Sequence, residues 1–252
     1  MFSNEKSVDI SESTFIIPSI SVGNVPQLAV DLLVNNAKPE YIGFIFHEHL
    51  IPIIGPNAYD ESSSIISSSC EVYFLASKKI VFLQIRGSIV PGREEEFGKD
   101  LINWAVENKA KRIVTLSSIL ADVRKDKDLD GCQIRYLLPS IAGKDLVKVF
   151  QSFDWKEYED PRLPDDKSEG DYDRIYVPGG GFGQIIYTIG NEIGCSTVFL
   201  MMFVYEGDNR DEAITMADSL NHWIDIVDVK ASWIPPISWS SLYGNPPPLD
   251  IY

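Results

Sequence analysis

Few side chains in this sequence have the types and spacings that do chemistry, and each set also has an architectural use. His47-Glu48-His49 places two imidazoles two residues apart, which on a strand would share a face. A zinc site takes three or four ligands from His, Cys, Asp or Glu, and the third histidine, His222, falls in a distant helical stretch. Gly179-Gly180-Gly181-Phe182-Gly183 runs into a helical pattern, as a phosphate-cradling loop would. It lacks the Lys-Ser/Thr of a P-loop and the G-x-G-x-x-G spacing. A backbone that bends sharply, or passes close to another backbone, demands glycine equally. Ser117-Ser118 stands where a strand-end nucleophile could stand, but no G-x-S-x-G surrounds it and few histidines could serve as base. Serines at strand ends commonly satisfy turns. Glu206 and Asp208 in Glu206-Gly207-Asp208-Asn209 could be an acid and a base; at a helix start they also cap it and complement its dipole. Cys70, Cys132 and Cys195 are far apart and read as packed free thiols of a reducing compartment. No catalytic, cofactor-binding or metal-ligating residue is expected.

The elements that would carry these residues alternate between strand and helix. Thr14 to Ile17 reads as a first buried strand, followed by Gly23-Asn24 and Pro26, a cap and a first-turn proline. Leu28, Ala29, Leu32 and Leu33 recur at helical spacing. Tyr41 to Phe46 is a second strand; Glu71 to Ala76 and Ile80 to Ile85 form a hairpin. Phe97, Leu101 and Trp104 mark a helix starting near Arg93, and Arg112 to Leu116 is another strand. Arg174 to Val177 is expected as a strand before the glycine turn and a helix bearing Ile185, Ile186 and Ile189. Thr197 to Tyr205 is the strongest strand, and Ala213, Ala217, Leu220, Ile224 and Val227 draw one apolar stripe on the helix that follows. The fold class is therefore α/β, a central mostly parallel or mixed sheet flanked by helices. One α/β domain is expected over residues 1–228. Within it, the acidic stretch 157–173 has too little apolar surface to need order. Residues 229–252 form a tail rich in proline and aromatics.

The 252 residues carry 22 Lys+Arg against 37 Asp+Glu, a net charge of −15, with no basic stripe. Phosphate backbones and anionic membranes are repelled by such a surface, whereas a basic protein surface is not. The longest apolar run, Val198 to Val204, is a buried strand rather than a span, which needs about 20 residues. The N-terminus shows no secretory signal and no Gly at position 2 for myristoylation, so a cytoplasmic and nuclear location is expected.

Phe15-Ile16-Ile17-Pro18-Ser19-Ile20-Ser21-Val22-Gly23-Asn24-Val25-Pro26-Gln27-Leu28-Ala29 resembles the opening of the proteasome assembly chaperone family. The similarity continues, in order, through Ile53-Ile54-Gly55-Pro56-Asn57-Ala58-Tyr59, Glu71-Val72-Tyr73, Leu83-Gln84-Ile85-Arg86 and Arg135-Tyr136-Leu137-Leu138. Val177-Pro178-Gly179-Gly180-Gly181, Phe203 to Asn209 and Pro236-Ile237-Ser238-Trp239 complete it. The S-V-G-N-x-x-Q-L opening together with E-G-D-N is its specific part. The resemblance implies an architecture like that of nucleoside phosphorylases, without nucleotide turnover. It implies a heterodimer with proteasome assembly chaperone 1, binding to α-subunits of the proteasome core particle, help in building the α-ring, and a block on premature docking of activators. It also implies a C-terminal hydrophobic–tyrosine–any-residue motif entering pockets between α-subunits. Here Leu249, Ile251 and Tyr252 are the candidate α-ring contacts, with Ile251-Tyr252 filling the first two motif positions and none filling the third. The other reading is a phosphorylase- or hydrolase-like enzyme on a similar fold, which a pocket of convergent polar groups would favour.

Overall fold

A computed structural model describes residues 2–4, 8–139, 144–162, 175–228, 232–242 and 244. Its strands are Phe2–Asn4 (β1), Thr14–Pro18 (β2), Glu40–Ile45 (β3), Ile54–Gly55 (β4), Ser67–Ser68 (β5), Cys70–Leu75 (β6), Ile80–Ile85 (β7), Arg112–Leu120 (β8), Ile134–Leu137 (β9), Lys156–Glu157 (β10) and Thr197–Val204 (β11). Its α-helices are Val25–Ala37 (α1), Glu94–Glu107 (α2), Lys144–Ser152 (α3), Phe182–Glu192 (α4) and Arg210–Ile224 (α5). Nine strands join in one mixed sheet, ordered β1-β3-β6-β7-β2-β8-β11-β9-β10, while β4 and β5 form a separate ribbon. The centre, β7-β2-β8-β11, is parallel throughout. The β6–β7 hairpin and β3 continue it antiparallel on one side, and β9 lies antiparallel to β11 on the other.

Side chains alternate across a strand, and a sheet covered on both faces needs apolar residues at every position. Phe15 and Ile17 of β2 enter the core under α2 and α4, whereas Ile16 enters the core under α1 and α5. In β11, Val198, Leu200, Met202 and Val204 take the α1/α5 face, and Phe199, Met201 and Phe203 the other. That is why this run carries no polar interruption. Helix α1 packs on the sheet and against α5 and buries nearly every side chain, Asp31 and Asn35 included.

Several expectations need correction. No strand forms over 175–177; Tyr176 instead closes a loop, its N–H donating to Asp160 at 3.3 Å. His47 and His49 sit in a turn after β3, not on the strand. Asn24 occupies the cap position of α1 in a left-handed conformation and makes no side-chain cap bond. The stripe on α5 stops with the helix at Ile224; Val227 reaches the core from the segment beyond it. Strands β1, β9 and β10 and helix α3 were not foreseen from the pattern of residues.

The acidic stretch begins in order. Tyr158 is buried, with its hydroxyl donating to the Tyr176 carbonyl at 2.8 Å, and Glu159 pairs with Lys125 and Lys127. Residues 163–173 lie outside the described residues, as do Leu249, Ile251 and Tyr252. The first part of the proline- and aromatic-rich segment packs on the body. Trp233 and Trp239 are buried in the α1/α5 core, Trp233 donates to Asp218 at 2.7 Å, and the Ile234 carbonyl accepts from Asn35 and Asn36.

Candidate functional site

In open α/β sheets a ligand site, where there is one, lies beyond the carboxyl ends of the parallel strands. Here the chain itself occupies part of that position, and a small cleft lined by Ser21, Gly23, Asn24, Glu206 and Gly207 remains beside it. The Ser19 hydroxyl donates to the Gly180 carbonyl at 2.9 Å and accepts from the Gly183 N–H at 2.7 Å. Ser117 donates to the same carbonyl at 2.8 Å, and the Ser118 N–H donates to Ser21. A Cβ at Gly181, where φ is 52°, would stand 2.0 Å from the Ile20 carbonyl oxygen. The close approach that the glycine turn permits is thus to another part of the same chain. Gly23 serves the neighbouring loop: a Cβ there would meet the Asn209 amide at 2.5 Å. That amide closes the Glu206-Gly207-Asp208-Asn209 turn by donating to the carbonyls of Tyr205 and Gly207. Asp208 in turn holds Arg210 at the start of α5. The serines, the glycines and this acidic turn therefore build the junction of β2, β8 and β11.

Histidines and thiols are spent likewise. His47 pairs with Asp100 at 3.0 Å and His49 with Glu96 at 3.2 Å, both on α2, while His222 packs edge-on against Phe153. Among the described residues no group of three His, Cys, Asp or Glu is arranged to hold a metal ion. Cys70 is buried, which pushes its thiol upward and makes it a poor thiolate.

A second cluster joins residues far apart in sequence. Asp31 on α1 accepts at one oxygen from Gln84 of β7 at 2.7 Å, from Arg86 at 2.8 Å and from the Tyr59 hydroxyl at 2.8 Å. Arg86 also donates to the Tyr59 hydroxyl at 2.9 Å and, through Nε, to Glu71 at 3.1 Å. The Trp239 indole N–H points at the other Asp31 oxygen, 3.4 Å away. Glu71 lies on β6 with no exposed surface. Burial pushes its carboxyl above the usual range, with Arg86 opposing. Burial also works against the Arg86 charge, but Tyr59, Asp31 and Glu71 together hold the guanidinium well above its ordinary value. A cation placed between two buried carboxylates has no freedom to act as acid or base; it holds pieces of chain together.

The piece it holds is the excursion between β3 and β6, residues 46–69. Tyr59 ties its middle to Asp31 and Arg86, and the Ala58 carbonyl accepts from the Ser238 N–H at 3.2 Å. The Ser69 hydroxyl accepts from the Ile53 N–H and donates to the Ile51 carbonyl. Beside the exposed Glu48, Asp60 and Glu61, the excursion carries a set of exposed apolar side chains. Ile54 is 80% exposed and Ile66 58%, with Ile51, Ile53 and Ile65 exposed beside them and Phe46 at its start. Ile54 pairs with Ser68 across the β4–β5 ribbon, so Ile66, two residues before Ser68, shares its face.

The sequence fragments Tyr59, Glu71-Val72-Tyr73, Leu83-Gln84-Ile85-Arg86 and Trp239 thus meet in one place. Asp31, the acceptor at the centre, was missed, although Glu71 and Gln84 inside apolar strands were a signal that something polar waits within. A family model described as the PAC2 family matches residues 15–190. The chain belongs to the PAC2 family. This PAC2-family chain is 35% identical over 256 residues to the Bos taurus protein named proteasome assembly chaperone 2, covering 96% of each. It is 32% identical over 258 residues to the Homo sapiens protein of that name, covering 97% of each. Among solved structures it is similar to Pyrococcus furiosus PbaA, described as an archaeal homolog of proteasome-assembly chaperone. The TM-score is 0.67 at 12% identity, covering 91% of this chain and 88% of that one. Pyrococcus furiosus PbaB, described as an archaeal proteasome activator, gives 0.63 at 13%, covering 91% and 90%. At those identities the two solved structures speak for the PAC2 fold alone.

Proposed function

We propose that this chain is a proteasome assembly chaperone subunit without catalytic activity. It pairs with proteasome assembly chaperone 1, binds α-subunits of the core particle, promotes α-ring assembly and blocks premature docking of activators, in cytoplasm and nucleus. The observation that carries this reading is end-to-end similarity, 35% identity over 96% of both chains, to a relative that bears the chaperone name. The geometry supports it. The Ser19 and Ser117 hydroxyls are spent on the glycine turn rather than held free for chemistry, while a set of exposed isoleucines is held out on a tied-down excursion. The −15 charge suits a basic partner surface. Affinity purification of the tagged full chain from its own cells tests it. The expected companions are proteasome assembly chaperone 1 and free α-subunits; recovery of the chain without either overturns the reading.

A further inference from the structure

From the 46–69 excursion we infer that its apolar face, centred on Ile54 and Ile66, is the surface that seats the companion chaperone subunit, a chain other than a second copy of this one. The inference rests on the pairing proposed above and names where it occurs. Three observations carry it. The first is chemical: residues 50–59 and 62–69 contain no charged side chain, in a chain with 59 charged residues (22 basic plus 37 acidic). Permanent interfaces are depleted of charge at their centre in this way, whereas exposed apolar clusters of this kind are uncommon on monomers. The second is extent. Ile54 and Ile66 stand exposed on one face of the β4–β5 ribbon, and Ile51, Ile53, Ile65 and Phe46 are exposed elsewhere on the same excursion. The third is rigidity. The Asp31–Arg86–Tyr59 network, the Ser69 hydroxyl and the β4–β5 ribbon fix the excursion before any partner arrives, so little ordering cost remains for binding.

Charge opposes self-pairing as the occupant. Two copies would bring −15 against −15, and Asp60 and Glu61 beside the patch add to the acidity each copy would present to the other. A partner with a basic or neutral rim meets no such penalty.

The test uses the full chain co-expressed with proteasome assembly chaperone 1 of the same organism. Ile54→Asp and Ile66→Asp change side chains that face solvent in the folded chain, so circular dichroism and the melting temperature should match the parent. Burying an isoleucine contributes about 1.5–3 kcal/mol, so the paired change should weaken the heterodimer by more than about a hundredfold. Leu129→Asp, at an exposed leucine elsewhere, should leave pairing unchanged. A milder change, Ile54→Ser with Ile66→Ser, guards against misfolding and should lose at least about tenfold by the same arithmetic. Normal heterodimer formation by the folded variants overturns the inference. So does a loss confined to α-subunit binding, or a parent homodimer that the variants dissolve. If the parent chain itself ignores the companion, the proposed function fails instead.

Discussion

Arg86→Met is the sharpest probe of what holds the excursion. In the folded chain the guanidinium lies 2.8 Å from Asp31, 3.1 Å from Glu71 and 2.9 Å from the Tyr59 hydroxyl. At an effective dielectric near 20, each of its two carboxylate contacts is worth about 5 kcal/mol of direct attraction, much of it offset by desolvation. Methionine fills a similar volume but leaves Asp31 and Glu71 facing each other without a cation. Removing one partner of a buried pair typically costs about 3–5 kcal/mol, and a single neutral hydrogen bond about 1. Arg86→Met should therefore cost about 4 kcal/mol in urea unfolding at pH 8, against about 1–2 for Tyr59→Phe. The loss should shrink as pH falls. A buried carboxyl whose folded value is raised binds a proton before the unfolded chain does, so its penalty is present at high pH and relieved as pH drops through the folded value. Glu71 is already raised with Arg86 present, and without it rises further. Unfolding at pH 5 and pH 8, followed by tryptophan fluorescence, with limited proteolysis across residues 50–69, reads both effects. A loss under about 1 kcal/mol with no pH dependence would mean that water already reaches the cluster and that the excursion is held by something else.

Four further outcomes are expected. Gly181→Ala, whose Cβ would press on the Ile20 carbonyl, should cost more than about 3 kcal/mol or abolish soluble expression; Gly194→Ala, also at positive φ but in open space, should cost about 1, and equal melting temperatures would refute the packing account. Asp160→Asn should flatten acid unfolding. Burial opposes the Asp160 charge, but hydrogen bonds from Arg162 and the Tyr176 N–H hold it at about 2. Against an unfolded value near 3.9, it contributes about 1–2 kcal/mol above pH 4, lost as pH falls toward 2; identical pH profiles would contradict this. Replacing 163–173 by a short Gly/Ser bridge between chain ends already joined through Asp160 and Tyr176 should shift the melting temperature by a few degrees, about 1 kcal/mol or less, and a cooperative collapse would show the segment to be integral. Removing Ile251 and Tyr252 should weaken α-ring binding by about 2–4 kcal/mol while heterodimer pairing stays intact, because the proposed pairing face is on the excursion; equal α-ring affinities would free those residues of the role proposed for them.

The alternation of strand and helix was legible because α/β packing writes it plainly. β11 is apolar at every position after Thr197 and β6–β7 is a hairpin with a short connection, and both stand as expected. Strand β9 was not legible: four residues with an arginine in the middle give no period, and Arg135 is buried only because Asp128 and two carbonyls receive it. Helix α3 hid for a related reason, its core contact resting largely on Phe150. The junction at the glycine turn was half legible. The residue types announced a tight backbone, but which backbone it approaches depends on strand order, which local patterns do not encode. Asp31 shows the same limit more sharply. In Ala29-Val30-Asp31-Leu32 it reads as a polar helix position, and its burial follows only once β7, the excursion and Trp239 close around it. The exposed isoleucines were invisible for the opposite reason, since an apolar pair in sequence looks like core until the structure shows nothing packed on it.

The latch on that cluster also orders events in time. Asp31 and Trp239 touch across 208 positions, and Asn35 reaches Ile234 across 199. A ribosome delivers the chain from the N-terminal side, so the helix, the hairpin and the isoleucine-bearing excursion are all outside before the tryptophan that locks them has been made. During that interval the excursion has its ties to Asp31, Arg86 and Ser69 but not the contact from Trp239, and its exposed isoleucines are open to wrong associations. Once the tryptophan seats, Asp31 gains its remaining partner. The last tie to the cluster, from Trp239, therefore forms only after synthesis has passed residue 239.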